Sequence, residues 1–114
     1  MAAPLWTPTP QRVADANITA FARRVESRHG VQLRDYEALW RWSIDRPEAF
    51  WREVWDDAGV IGVQGSRVLV DGDRMPGARF FPDATLNFAR NLIERRPADD
   101  AGDALVFRGE DKAR

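Results

Sequence analysis

The chain has 114 residues, 44% of them hydrophobic and 31% charged, the material of one ordinary globular domain, which excludes a disordered tail. A net charge of -1 leaves no field to draw it onto nucleic acid or an anionic lipid surface. With no cysteine and His29 as the single histidine, a disulfide framework, a thiolate nucleophile and a multi-His metal centre are excluded.

Met1 to Pro10 carries no Lys or Arg ahead of an apolar stretch, and no window reaches the length of a membrane span, so the sequence reads as a cytoplasmic protein without a signal peptide. Residues 1–9 combine Pro4, Pro8 and the ring of Trp6, which predicts an extended arm resting on a surface supplied elsewhere. A helix over about 10–29 is expected, with Thr9 as N-cap and Pro10 at its first position; Asn17 offers an alternative start. Ile18, Phe21 and Val25 share one face, and Gly30 ends the helix.

A second helix is predicted over about 35–45, capped by Asp35, with Tyr36, Leu39, Trp40 and Ile44 on one stripe and Trp42 off it. Asp45-Arg46-Pro47-Glu48 reads as a capping box that opens a third helix, 46–58, whose stripe is Phe50, Trp51, Val54, Trp55 and Ala58. Val60 to Gly65 is too glycine-rich for regular structure, and Arg67–Val70 is a short strand without an obvious partner. Residues 75–82 (MPGARFFP) should form a loop or edge strand that buries at least one ring. A fourth helix is expected over 85–95, stopped by Pro97, followed by a polar connector and the strand Ala104–Arg108. The fold class is therefore mainly α with short β elements (α+β). A final strand with nothing after it leaves a row of unpaired backbone groups, so truncation of a longer protein is expected.

Local chemistry favours structural roles. His29 beside Gly30 complements a helix dipole and has no neighbouring nucleophile. Asp56, Asp57, Asp71 and Asp73 lie in polar turns where nothing raises a carboxyl pKa. Asp99 to Glu110 has acids at three places of a calcium loop, but Ala101 and Ala104 stand where it needs a ligand and a glycine. Asn87 and Asn91, one helical turn apart, are placed to bond a neighbouring backbone.

In chain order, Pro4-Leu5-Trp6-Thr7-Pro8, Tyr36 to Ser43 (YEALWRWS), Pro47 to Trp55 (PEAFWREVW) and Met75 to Leu92 (MPGARFFP through LNFARNL) carry a resemblance over nearly the whole chain. Together they resemble the N-terminal region of acetoacetyl-CoA synthetases, the acetyl-CoA synthetase N-terminal type of the adenylate-forming superfamily. The resemblance implies an N-terminal domain at 1–97 and, at 98–114, a connector and first strand of a large AMP-binding domain. It also implies a ligase that activates acetoacetate with ATP and Mg²⁺ and passes it to CoA, with none of these bound by the segment itself. No catalytic, cofactor or metal residue is expected here: Lys112 is the only lysine and has no glycine cradle. The expected role is packing on the downstream AMP-binding domain through Trp6, Trp40, Phe50, Trp51, Trp55, Phe80, Phe81, Leu86, Asn87 and Phe88. The alternatives are a free-standing aromatic-rich interaction module, or the same segment of an acetyl- or propionyl-CoA synthetase.

Overall fold

A computed structural model of the chain describes residues 5–94, 102–103 and 106–110. The elements run α1 (Pro10–Ala14), α2 (Asn17–His29), α3 (Tyr36–Asp45), α4 (Pro47–Asp57), β1 (Gly62–Val63), β2 (Leu69–Val70), β3 (Arg79–Phe80), β4 (Thr85–Leu86) and α5 (Phe88–Glu94). This is the mainly helical chain with short strands that its periodicities predict.

The first expected helix is two. Thr9 caps α1 through its hydroxyl oxygen, which accepts from the Arg12 N–H at 3.2 Å. The chain then turns at Asp15, and Ala16, extended and without a side-chain cap, precedes α2, so Asn17 is the first residue of that helix and not its cap. The turn is closed at the Val13 carbonyl, which accepts from the Thr19 hydroxyl at 2.6 Å and from the Ala16 N–H at 3.3 Å. Phe21 and Val25 are buried along α2, while Ile18 of the same stripe stays exposed. Gly30, at φ 65°, ends α2.

Asp35 caps α3 as expected, accepting from the Ala38 N–H at 2.8 Å. The stripe assigned to α3 is only partly inward: Leu39 is buried, but Tyr36, Trp40 and Ile44 face solvent. Trp42 packs inward instead, 6.2 Å from the Phe50 ring and 5.2 Å from the His29 ring. The reason is the approach of α4, which meets the flank of α3 carrying Leu39 and Trp42 and leaves the 36–40–44 row uncovered. The predicted capping box does not form: Asp45 is the last residue of α3, and Arg46 holds the cap position without a side-chain bond. One residue thus ends α3 and begins α4, so no carboxylate is left over for the cap.

The core gathers Phe21, Val25, Leu33 and Leu39, with Trp42, Phe50 and Val54 partly buried against it. It is small for the chain. The accessible surface is 9900 Å², about half as large again as a compact monomer of this mass presents.

Two antiparallel ribbons follow. β2 pairs with β3 in the register Leu69↔Phe80 and Val70↔Arg79, which gives the 67–70 strand the partner its sequence did not disclose. β1 pairs with β4 in the register Gly62↔Leu86 and Val63↔Thr85, so the glycine-rich 60–65 stretch does hold a strand. Gly62 permits it, because a Cβ there would lie 2.8 Å from both the Leu86 Cβ and the Thr85 carbonyl oxygen. That pairing also takes Thr85 and Leu86 out of the expected 85–95 helix, and α5 starts only at Phe88. The helix end at Arg95 and residues 104–105 of the expected final strand lie outside the described residues, and Val106 and Phe107 are exposed.

Asn91 fastens α5 to the ribbon. Its Oδ1 accepts from the Ile61 N–H at 2.7 Å, and its Nδ2 donates to the Ile61 carbonyl at 2.8 Å and to the Asn87 carbonyl at 2.9 Å. Asn87 in turn accepts from the Arg90 N–H at 3.0 Å. Replacing Asn91 with alanine strands both backbone groups of Ile61, at an expected cost of about 1–3 kcal/mol. Hydrogen exchange at the Ile61 amide, accelerated in Asn91→Ala, is the direct measurement.

Candidate functional site

An aromatic series runs through the chain and decides which rings are free to meet a partner. The Phe50 ring lies edge-on to three others: Phe21 at 5.9 Å, Trp42 at 6.2 Å and Trp51 at 5.3 Å. Trp51 reaches Phe80 of β3 at 5.3 Å, and Trp55 reaches Phe81 at 4.9 Å. Phe81 sits at φ 46°, a left-handed backbone held by its N–H donating to the Val68 carbonyl at 2.7 Å. Five of the rings expected to face a second body touch one another across α4 and the β2–β3 ribbon, while Trp51 and Phe80 still expose 38% and 49% of their surface, and Asn87 is engaged at the start of α5.

The remaining predicted residues are open. Trp6 is 68% exposed, with the Arg12 guanidinium 5.9 Å from its ring centroid. Trp40, Leu86 and Phe88 are exposed at 47%, 49% and 76%. Around them the structure adds apolar residues that sequence reasoning did not single out as a surface, and they form two patches. On the strand side, Val63 of β1 and Leu86 of β4 are exposed on opposite faces of their ribbon, and Phe88, Leu92 and Ile93 leave every large apolar side chain of α5 in solvent. A seven-residue helix with its apolar residues uncovered has little to hold it but the Asn91 clamp. On the helical side, a groove of about 360 Å³ opens between α2, α3 and α4, walled by Ile18, Tyr36 and Trp40 and floored by Phe21, Leu39 and Phe50.

The charged residues are engaged in fixing helices. Glu53 of α4, 6% exposed, receives His29 Nε2 at 2.9 Å and an Arg28 guanidinium nitrogen at 3.0 Å. Arg28 also reaches Asp56 at 3.2 Å, and Arg24 pairs with Asp57. Neither α3 nor α4 has a basic residue in its last turn, so α2 supplies the cations for the acidic end of α4. His29 thus does more than complement its own helix end. The signal for this lay in the sequence: Glu53 stands three residues after Phe50, an acid inside an apolar stripe. Among the described residues no group of three or more His, Cys, Asp or Glu is placed to hold a metal, and no helix is long and apolar enough to cross a membrane.

In the two segments that join the ribbons, Arg67 Nε donates to Asp83 at 2.8 Å, and a second guanidinium nitrogen closes the bidentate pair. The hydrogen bond from Arg67 is the main cause that holds the Asp83 carboxyl at about 2. A carboxyl depressed in the folded state stabilises it above the unfolded value and loses that contribution as pH falls through the folded one, here between about pH 4 and 2. Asp83→Asn is therefore expected to flatten the acid side of the stability profile in that window, with a carboxyl NMR titration of the parent protein locating the group.

Comparison with known proteins bears on what the two patches meet. Residues 36–92 match the family described as acetyl-coenzyme A synthetase N-terminus. The chain is 47% identical over 109 residues to an acetoacetyl-coenzyme A synthetase of Rhizobium meliloti, a match that covers 96% of the chain and 16% of that protein. It is 37% identical over 76 residues to a malonamoyl-CoA synthetase of Penicillium aethiopicum, covering 65% of the chain and 10% of the relative. With an acetoacetyl-CoA synthetase of Xenopus tropicalis it shares 26% identity over 97 residues, 83% of the chain and 14% of that protein. The chain thus spans less than a fifth of the length of these relatives. No solved structure matches.

Proposed function

The chain belongs to the acetyl-coenzyme A synthetase N-terminus family, and from that premise we propose that it is the N-terminal segment of an ATP-dependent acetoacetate:CoA ligase. The observation that carries this reading is the 47% identity to an acetoacetyl-coenzyme A synthetase, which extends over 96% of the chain. In the whole enzyme the acetoacetate carboxylate attacks the α-phosphate of ATP, pyrophosphate leaves, and the CoA thiol displaces AMP from the acyl-adenylate. The described residues do not fit the nucleotide. Arg24, Arg28 and Arg67 are paired with acids within the fold, and no acidic cluster among these residues is placed for Mg²⁺, so no step of the chemistry is assigned to them.

The segment's part is mechanical. Leu86, Phe88, Leu92 and Ile93 are exposed apolar side chains, and in this reading they pack on the AMP-binding domain of the same cytoplasmic protein. The arm that bears Trp6 adds a second contact. The exposed surface supports docking because an apolar patch of this kind, spread over one short helix and the strand before it, is rare on a complete monomer.

The test is catalytic. The whole protein, given ATP, Mg²⁺ and CoA, is expected to release pyrophosphate with acetoacetate well above the rate with acetate, propionate or malonamate. A preference for any of the other acids overturns the substrate assignment. The 114-residue segment alone is expected to be inactive in the same assay.

A further inference from the structure

We infer that the groove between α2, α3 and α4 is a socket for an apolar side chain from the remainder of the same polypeptide, a contact separate from the α5 surface. The inference rests on the reading above, that this is one part of a longer ligase. Its basis is that the groove opens into the core itself: Phe21 and Leu39 form its floor and are also two of the four residues of the buried cluster. Phe50 and Val54, packed against that cluster, remain half-buried because nothing closes the open side. The wall is a helix row, Tyr36 and Trp40 at i and i+4, exposed at 72% and 47%.

The chemistry selects the occupant. Among the described residues the only charged group on the rim is Asp57, an acid already paired with Arg24, so they offer no cation there to a phosphate or carboxylate ligand. Asn17 and Ser43 supply few polar contacts, and the Ser43 hydroxyl is turned back to the Trp40 carbonyl at 2.6 Å. About 360 Å³ has room for one or two large apolar side chains. The chain covers only 16% of the Rhizobium relative, and a tethered occupant from the remaining length acts at a millimolar effective concentration that a free partner rarely matches.

The experiment uses the whole protein with the photo-reactive residue p-benzoylphenylalanine in place of Tyr36, a ring already on the groove wall, and separately in place of Arg41, which lies away from the groove and pairs with Glu37. Irradiation followed by peptide mapping is expected to give one dominant cross-link from position 36 to an apolar segment of the same polypeptide beyond residue 114, lost at position 41. Cross-links only between two copies, only to another protein, or equally from both positions overturn the inference. Ser43→Trp, which fills the socket, is expected to lower the melting temperature of the whole protein and speed release of the segment by protease; unchanged values overturn it as well. The ligase assay on the same samples separates the two claims. Activity on acetoacetate without the cross-link removes the socket alone, and the cross-link in a protein that prefers another acid removes the substrate reading alone.

Discussion

Phe21→Ala is expected to cost about 3–5 kcal/mol, the range for a large ring removed from a packed core. The ring is 8% exposed, stands edge-on to Phe50 at 5.9 Å and is one of four residues in the buried cluster. Neighbours can do little to fill the void, because the groove borders it and water enters from that side. Small domains carry about 5–15 kcal/mol in total, and a core open on one side belongs at the low end, so this single change is expected to leave much of the protein unfolded at room temperature. Urea denaturation followed by far-UV circular dichroism gives the number. Ile44→Ala, on the uncovered row of α3, is the matched control and is expected to be nearly neutral in the same measurement.

Removing both hydrogen-bond partners of Glu53 is expected to cost a similar amount. In the double variant Arg28→Ala/His29→Ala, a carboxylate of 7% side-chain exposure keeps its burial and loses both partners, a situation worth about 3–5 kcal/mol. The loss should be far larger than that of Glu37→Ala, which breaks an exposed pair on the surface of α3. The diagnostic is the triple variant that adds Glu53→Leu: with no charge left to bury, most of the stability returns. Failure of that recovery would mean that Arg28 and His29 act through packing on Trp42 and α4 and not through the carboxylate.

What the sequence made legible is what depends on near neighbours. Thr9, Asp35, Pro47 and Gly30 each mark a helix boundary within their own turn, and each stands at that boundary in the structure. Asn91 was readable as a side chain bound to backbone, although not that the backbone belongs to Ile61, thirty residues earlier. Two misreadings are local, the break at Asp15 and the capping box at Asp45, and the others are long-range. The partner of Leu69–Val70 and the pairing of Gly62–Val63 with Thr85–Leu86 depend on contacts made across loops, which local propensity does not encode. The exchange of Trp40 for Trp42 has the same origin: both positions fit a helix face, and the direction from which α4 arrives decides between them. As for the surface, α5 was visible as an apolar helix. Which rings are satisfied within the chain, as Trp51 is by Phe80 and Trp55 by Phe81, could be seen only once the second ribbon was folded against α4.

The single residue Arg46, ending one helix and starting the next, leaves that corner without slack. An insertion there would rotate everything downstream by about 100° around the helix axis and swing Phe50 and Val54 away from Phe21. Length changes in evolution or engineering must then be absorbed elsewhere, and the exposed turn from Asp73 to Gly77 is the natural place to splice in extra residues.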